Sequence, residues 1–228
     1  MNQKKCAARM ERIVPFYVMD LLARAKELEA GGRSIIHMEV GEPDFATVEP
    51  VIKAGKQALD DGYTGYTPAT GIPQLKEAIA DHYRQWFEID VDPRRIIVTP
   101  GSSGALQLIM GVVVDPGREV LMTDPGYPCN KNFVEFFSGV PRPLPVGPES
   151  GYQLSAAQVA DQWTELCCAA LVASPSNPTG TLLSGDELAQ ILDVVRARNG
   201  TLIVDEIYQG LVYGADSYTA LSLGDDLF

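Results

Sequence analysis

A pair of carboxylates near the C-terminal end of the chain is the first candidate for chemistry. Asp205 and Glu206 follow directly after three large aliphatic residues at positions 202–204, and Tyr208 comes two positions later. The aliphatic run predicts a buried strand whose end opens into a polar site. Ligands of open parallel sheets bind beyond the carboxyl ends of the strands, so Asp205 would lie beside such a ligand. An aspartate at this position can also cap a following helix, and this stretch alone leaves both interpretations open.

A stretch of small residues is the second candidate. Ser102, Ser103 and Gly104 follow an apolar run at 96–99, which predicts a strand, and precede a predicted helix at 105–114. The free N–H groups of a first helical turn and the helix dipole both favour an anion, so this arrangement is typical of phosphate binding. The stretch matches neither the Walker pattern nor the dinucleotide glycine pattern. A loop that leads into an ordinary serine-capped helix is the alternative.

Two further turns carry side chains that could contact the same ligand. Tyr127 follows a predicted strand at 119–123, and Asn177 follows a predicted strand at 168–173. Helical crossovers join these strands, and strands joined in this way run parallel. The carboxyl ends of parallel strands lie along one edge of a sheet. We therefore expect both turns, the Ser102 stretch and Asp205 to converge there.

The elements that must hold these groups alternate between strand and helix, which predicts an α/β fold with a largely parallel sheet. Three prolines interrupt the stretch 140–146, so a strand there would have to lie at an edge of the sheet. Ser184, with Glu187 three positions later, matches the capping box that starts a helix. Nearer the N-terminus, the largely apolar stretch 35–40 predicts a further short strand.

The converging groups suit a flat, phosphorylated ring that contains nitrogen. The serine stretch would hold the phosphate, Tyr127 would stack on the ring, and Asp205 would pair with a protonated ring nitrogen. Asn177 and Tyr208 would then hydrogen-bond a phenolate oxygen of the ring. Pyridoxal 5′-phosphate has these features, and its chemistry needs a protonated ring nitrogen so that the ring can accept electrons. We therefore expect pyridoxal 5′-phosphate as the cofactor.

Bulk composition excludes several other classes of function. The chain has 228 residues with 46% hydrophobic content, and 18 basic against 30 acidic residues give a net charge of −12. This charge disfavours nucleic acids and anionic membrane surfaces as partners. The four cysteines show no metal-ligand spacing, so we expect no metal site. Cysteine usage fits a reducing compartment, and we see neither a signal peptide nor a membrane span, so we expect a cytoplasmic protein.

Six short motifs follow one another along nearly the whole chain. They are GEPDF (41–45), YTPATGIPQLKEAIA (66–80), GSSGAL (101–106), DPGYP (124–128), PSNPTG (175–180) and VDEIY (204–208). In this order they resemble the class I/II aminotransferases, which are fold type I pyridoxal phosphate enzymes of the aspartate aminotransferase superfamily. The resemblance implies a three-layer α/β fold with a mostly parallel sheet, and transamination between an amino acid and a 2-oxo acid.

The resemblance also implies roles for individual residues. By this resemblance, Ser102, Ser103 and Gly104 bind the phosphate, and Tyr127 stacks on the ring. Asn177 and Tyr208 hydrogen-bond the phenolate oxygen, and Asp205 pairs with the ring nitrogen. Gly41 resembles the residue whose backbone lies beside the substrate carboxylate. Tyr66 resembles the residue that reaches the phosphate of the partner subunit, which implies a homodimer.

The chain departs from the family pattern in its lysines. Family members hold the cofactor as a Schiff base on a lysine of a Ser-x-Ser-Lys type motif downstream of VDEIY, and that lysine is the proton-transfer base. The last lysine here is Lys131. We therefore expect the N-terminal portion of an aminotransferase that is inactive alone. Residues 1–45 would form an N-terminal arm and part of the small domain, and 46–228 an incomplete cofactor-binding large domain.

Two alternatives to this interpretation stay open. The chain could be a non-catalytic product that binds pyridoxal 5′-phosphate without a covalent bond, or one that only associates with other subunits. It could also belong to a lyase or decarboxylase of the same fold, because fold and cofactor do not determine which bond is cleaved.

Overall fold

The computed structural model describes residues 6–228 and divides them into two compact units. The smaller unit is Pro15–Ala69, and the larger unit combines residues 6–14 with Thr70–Phe228. In the described part of the chain, no helix is both long enough and apolar enough to cross a membrane.

The smaller unit contains two helices, α1 (Tyr17–Ala30) and α2 (Glu49–Asp60). The strand that the sequence predicts at 35–40 is not formed. Its aliphatic side chains do not enter a core, since Ile36 is 87% and Met38 is 88% exposed. Pro15–Ala69 also contains no other strand with which this stretch could pair, so its backbone cannot form a ladder.

The larger unit alternates helices and strands after residue 70. Its helices are α3 (Pro73–Phe87), α4 (Gly101–Val113), α5 (Cys129–Phe136), α6 (Ala156–Gln162) and α7 (Gly185–Ala197). Its strands are β1 (Glu119–Asp124), β2 (Val140–Pro145), β3 (Cys167–Ala173) and β4 (Thr201–Asp205). Short 3₁₀ helices cover Ala8–Glu11, Pro93–Arg95, Pro148–Ser150 and Ala220–Leu223.

The four strands form one parallel sheet in the order β2-β1-β3-β4. The predicted edge position of the proline-bearing stretch is confirmed, because among residues 6–228 β2 pairs with β1 alone. Val140 donates its N–H to the carbonyl of Arg118 at 2.8 Å, on the β1 side. Prolines 141, 143 and 145 alternate with such residues, so their nitrogens face away from β1 and no ladder bond is lost.

Helices cover both faces of the sheet. Successive strand residues point to opposite faces, so Val120 and Met122 pack in one core with Val134 of α5. Leu121 packs on the other side in a second core, with Leu188 of α7. Burial of these apolar side chains on both faces drives the layers together. The predicted three-layer α/β fold with a mostly parallel sheet is confirmed.

The strand predicted at 96–99 is absent, although the segment is extended. Val98 donates its N–H to the carbonyl of Thr70 at 3.0 Å, and Ile97 is 57% exposed. An apolar run favours an extended backbone, but a strand also needs a neighbouring strand to complete its hydrogen bonds. None of the four strands in residues 6–228 pairs with this segment.

The predicted capping box at the start of α7 is confirmed. Ser184 Oγ accepts the N–H of Glu187 at 3.3 Å, and Glu187 Oε2 accepts the N–H of Ser184 at 2.8 Å. The box fixes the point at which the chain leaves the loop after β3 and enters the helix.

Candidate active site

Ser102, Ser103 and Gly104 lie in the first turn of α4 and not in a loop before it. The helix begins earlier than predicted because Gly101 takes a φ of +72°, which a residue without Cβ adopts freely. Pro100 holds the cap position and no side chain caps the helix, so the serine-capped alternative is wrong. N–H groups of this turn have no acceptor four residues earlier, and with the helix dipole they favour an anion.

The same turn packs closely against the residues that precede it. A Cβ added to Gly104 would lie 3.2 Å from Thr99 Cβ and 3.2 Å from Pro100 Cδ, which is tighter than ordinary contact. Thr99 Oγ1 also donates to the carbonyl of Gly101 at 2.8 Å. The preceding residues therefore hold the turn in two ways: Thr99 donates a hydrogen bond to it, and Thr99 and Pro100 pack closely against Gly104.

Tyr127 follows β1 and contacts the first turn of α4. Its phenol forms hydrogen bonds with the hydroxyl of Ser103 and with the thiol of Cys129, a residue that the sequence motifs did not indicate. Burial disfavours the phenolate and, with the Cys129 contact, raises the pKa of Tyr127 to about 12, although the Ser103 bond opposes the shift. Tyr127 is therefore a neutral phenol at physiological pH.

Asp205 ends β4 at the carboxyl edge of the sheet. A turn and not a helix follows at 207–210, so the helix-cap alternative is wrong, although Oδ1 accepts the N–H of Ile207 at 3.1 Å. Burial raises the pKa of Asp205. No lysine or arginine among residues 6–228 forms an ion pair with it. The carboxylate is thus available to a cationic partner.

A cavity of about 330 Å³ connects Asp205 with the first turn of α4. Ser102 and Asp205 both line it, together with Glu206 and apolar side chains such as Ile109. A helix N-terminus and a half-buried carboxylate therefore face a common space. This space suits a ligand that carries an anion at one end and a cation at the other.

Asn177 and Tyr208 meet at the same edge of the sheet, with Asn177 Nδ2 3.4 Å from Tyr208 Oη. The register of the sheet pairs Ala173 with Asp205. Ser174 then donates its N–H to the carbonyl of Asp205 at 3.0 Å. The loop that carries Asn177 therefore begins beside the carboxylate.

Comparison with known proteins identifies the family of the chain. The model of the family "Aminotransferase class I and II" matches residues 33–227. The chain belongs to this family.

Aminotransferase relatives match nearly the whole chain. It is 36% identical to the (5-formylfuran-3-yl)methyl phosphate transaminase of Methanocaldococcus jannaschii, over 96% of the chain and 56% of the relative. It is 38% identical to the valine–pyruvate aminotransferase of Mycobacterium tuberculosis, over 88% of the chain and 52% of the relative. The crystal structure of an aminotransferase from Mycobacterium tuberculosis superposes with a TM-score of 0.91 at 34% identity, covering 99% of this chain and 58% of that one. The chain thus spans about half the length of the curated relatives it matches.

Two predicted residues of this aminotransferase chain lie in its smaller unit. A Cβ added to Gly41 would have no heavy atom of residues 6–228 within 4 Å, so these residues leave its backbone open to approach. Tyr66 is fully exposed. Their contacts with the substrate carboxylate and with a partner subunit stay predictions.

Glu206 has a role in this aminotransferase chain that sequence reasoning missed. Its carboxylate accepts hydrogen bonds from the N–H of Ala220 at 2.7 Å, from Thr219 Oγ1 at 2.9 Å and from Gln209 Nε2 at 2.7 Å. Burial raises the pKa of Glu206, and these bonds oppose the shift. Glu206 thereby anchors the segment that follows the site. In the sequence, only its position next to Asp205 points to this role, because its partners Gln209, Thr219 and Ala220 belong to none of the six motifs.

Proposed function

We propose that the full-length protein carries out pyridoxal 5′-phosphate-dependent transamination between an amino acid and a 2-oxo acid. The observation that carries this proposal is the half-buried carboxylate of Asp205, which shares a cavity with Ser102 and has no cationic partner within residues 6–228. Residues 46–228 belong to the cofactor-binding large domain, and residues 1–45 to the N-terminal arm and part of the small domain; residues 1–5 lie outside the described part of the chain. The protein acts in the cytoplasm as a homodimer.

The first turn of α4 fits the phosphate of the cofactor. The N–H groups of a first helical turn have no acceptor four residues earlier, and with the positive end of the helix dipole they favour a dianion. Ser102 and Ser103 add hydroxyl donors at the same turn. The close packing of Gly104 against Thr99 supports the proposal, because a fixed turn presents its N–H groups with little loss of entropy on binding.

The groups around Asp205 fit the ring of the cofactor. A half-buried carboxylate without a cationic partner among residues 6–228 stabilises a protonated ring nitrogen. Tyr127 supplies a neutral aromatic face, and Asn177 and Tyr208 supply an amide and a hydroxyl for the ring oxygen. When bound, the cofactor supplies an electron-accepting ring that stabilises negative charge at the α-carbon of the substrate.

The residues of the site would then have separate roles. Asp205 keeps a proton on the ring nitrogen, and the pKa of Asp205 falls from its raised value when a cation pairs with it. Asn177 Nδ2 and Tyr208 Oη would donate to the ring oxygen and stabilise its negative charge. Tyr127 would stack on one face of the ring and exclude water from it.

Proton transfer at the substrate needs a basic amine that is not in this set. Lys131 is the last lysine of the chain, and its Nζ lies 4.0 Å from Asp124 Oδ2. We therefore propose that the 228-residue chain binds the cofactor without a covalent bond and does not transaminate alone. Gly41 would approach the substrate carboxylate, and Tyr66 the phosphate bound by the partner subunit.

Binding of pyridoxamine 5′-phosphate to the 228-residue chain tests this proposal. This probe carries the phosphate, ring nitrogen and ring hydroxyl but no aldehyde, so it cannot form imines with surface lysines. We expect calorimetry to show binding, and Asp205→Asn to weaken it about tenfold, because a charge-assisted bond becomes a neutral one. Asp193→Asn, an exposed substitution on α7, is the matched control. A wild-type chain that does not bind, or equal affinity in the Asp205 variant, contradicts the proposal.

A further inference from the structure

One side chain from another part of the chain closes the loop 174–180, which carries Asn177. Gln153 lies between β2 and α6 and is 4% exposed. Its Nε2 lies 3.0 Å from the carbonyl oxygen of Ala173 and 3.1 Å from that of Thr181. These two residues immediately precede and follow the loop. A single amide group therefore holds both ends of the loop together.

The hydrogen-bond partners of Gln153 determine the orientation of its amide. Two of its partners are carbonyl oxygens, which only accept, so the NH₂ group must face them; Nε2 also lies 3.3 Å from Thr181 Oγ1. Its Oε1 is then buried and has no hydrogen-bond partner among the described residues. A buried oxygen without a partner costs free energy. The two donor bonds to the ends of the loop must offset that cost.

Bonds within the loop complete the arrangement that Gln153 closes. Ser176 donates its N–H to the carbonyl of Thr181 at 2.9 Å, and Gly180 donates to the carbonyl of Ser176 at 2.8 Å. Ser176 is itself only 4% exposed. The residue before Asn177 is therefore tied to the carbonyl of Thr181, to which Gln153 also donates, and the last residue of the loop, Gly180, is tied back to Ser176.

We propose that Gln153 is a positioning residue of the cofactor site. It holds the loop so that the amide of Asn177 stays beside the hydroxyl of Tyr208, where both can bond the ring oxygen of pyridoxal 5′-phosphate. Without Gln153 the two ends of the loop can separate, and ordering Asn177 then costs entropy when the ligand binds. This inference rests on the proposed function, because the ligand oxygen is that of the proposed cofactor.

Three variants of the 228-residue chain separate this role from a general effect on packing. Gln153→Met keeps the length of the side chain and removes both donors. Gln153→Glu keeps the shape but, when ionised, presents only acceptors to the two carbonyl oxygens. Leu154→Val is the matched control, because Leu154 is 1% exposed and its shortening loosens the core without removing a loop bond.

Amide hydrogen exchange and titration with pyridoxamine 5′-phosphate are the two measurements. Both Gln153 variants should show faster exchange at Ser176 and Gly180 and unchanged exchange in α7. They should also bind the probe about tenfold more weakly, as expected when a group that orients a ligand contact is removed. Leu154→Val should keep the exchange and the affinity of the wild type.

Acidification gives a second readout for the glutamate variant. Protonation of the introduced carboxyl returns one donor, so Gln153→Glu should recover part of its affinity relative to wild type at the same pH. A purely structural defect would not recover in this way. This variant carries the test where the methionine variant does not fold.

Wild-type exchange in the loop of both variants, or a loss of affinity that Leu154→Val shares, would overturn the role of Gln153. Failure of the wild-type chain to bind pyridoxamine 5′-phosphate contradicts the proposed function instead. In that case the exchange comparison alone decides whether Gln153 holds the loop.

Discussion

Asn177 Nδ2 lies 3.4 Å from Tyr208 Oη, although the two residues are 31 positions apart in the sequence. Asn177 comes from the loop after β3, and Tyr208 from the turn after β4. These strands are neighbours and run parallel, so their carboxyl ends bring both side chains to one point. The pair offers an amide and a phenol to a single acceptor.

This pairing predicts coupled losses of affinity. Tyr208→Phe and Asn177→Ala should each weaken binding of pyridoxamine 5′-phosphate about fivefold, since one neutral hydrogen bond contributes about 1 kcal/mol. If both donors hold the same ring oxygen, the double variant should deviate from the product of the single effects. Isothermal titration calorimetry on the four chains measures this coupling. Tyr213→Phe is the control, because Tyr213 is 90% exposed.

Strict additivity in that cycle would show that Asn177 and Tyr208 do not share a ligand atom. Unchanged affinity in both single variants would remove the pair from the site altogether.

We expect the ionised carboxylate of Asp205 to lower the free energy of unfolding at neutral pH. Burial raises its pKa above that of the unfolded chain, so ionisation opposes folding. The contribution of Asp205 to the free energy of unfolding is therefore most favourable below the pKa of the unfolded chain, about 3.9. It becomes less favourable as the pH rises through the pKa of the folded chain. Asp205→Asn should raise the urea midpoint relative to wild type at about pH 7 and much less at about pH 4.

Circular dichroism at the two pH values checks this prediction, with Asp193→Asn as the exposed control. A lower midpoint for Asp205→Asn at neutral pH would mean that the folded chain stabilises the ionised carboxylate. The substitution should at the same time weaken ligand binding, so affinity and stability are expected to change in opposite directions.

His37 lies within hydrogen-bond distance of two carboxylates in the smaller unit. Its Nδ1 lies 2.6 Å from Glu39 Oε1 and its Nε2 lies 3.0 Å from Glu29 Oε1. The hydrogen bond to Glu39 and then the one to Glu29 raise the pKa of His37, and His37 lowers the pKa of Glu39. A histidine with a raised pKa contributes stability that is complete below its unfolded pKa of about 6.5. That contribution is lost as the pH rises through the folded pKa.

His37→Gln should therefore lower the urea midpoint more at about pH 6 than at about pH 9. The difference should be small and should shrink with added salt, because the group is exposed. His82→Gln is the matched control, since His82 forms no ion pair with any residue in 6–228. A pH-independent effect of His37→Gln would contradict the paired geometry.

Much of the sheet could be predicted from sequence because its causes are local. The strands β1, β3 and β4 are buried by helices on both faces, so each is an apolar run. The prolines of β2 exclude a central position, and the contacts between Ser184 and Glu187 span three positions. Such signals depend on neighbours in sequence.

The predictions that are wrong concern elements whose state depends on distant partners. The stretches 35–40 and 96–99 have the composition of strands, but no strand in residues 6–228 pairs with them. Gly101 starts α4 three residues before the predicted small-residue loop ends, because its positive φ lets the helix begin there. Composition alone does not distinguish these outcomes.

The sequence by itself determined which residue types are candidates for the site: the serines at 102 and 103, Tyr127, Asn177 and Asp205. Only the tertiary structure decided that Gln153 closes the Asn177 loop and that Glu206 anchors the segment after the site. These bonds depend on where the folded backbone places carbonyl and N–H groups from separate segments. A sequence pattern encodes the spacing of neighbours along the chain, whereas a hydrogen bond depends on distance in space.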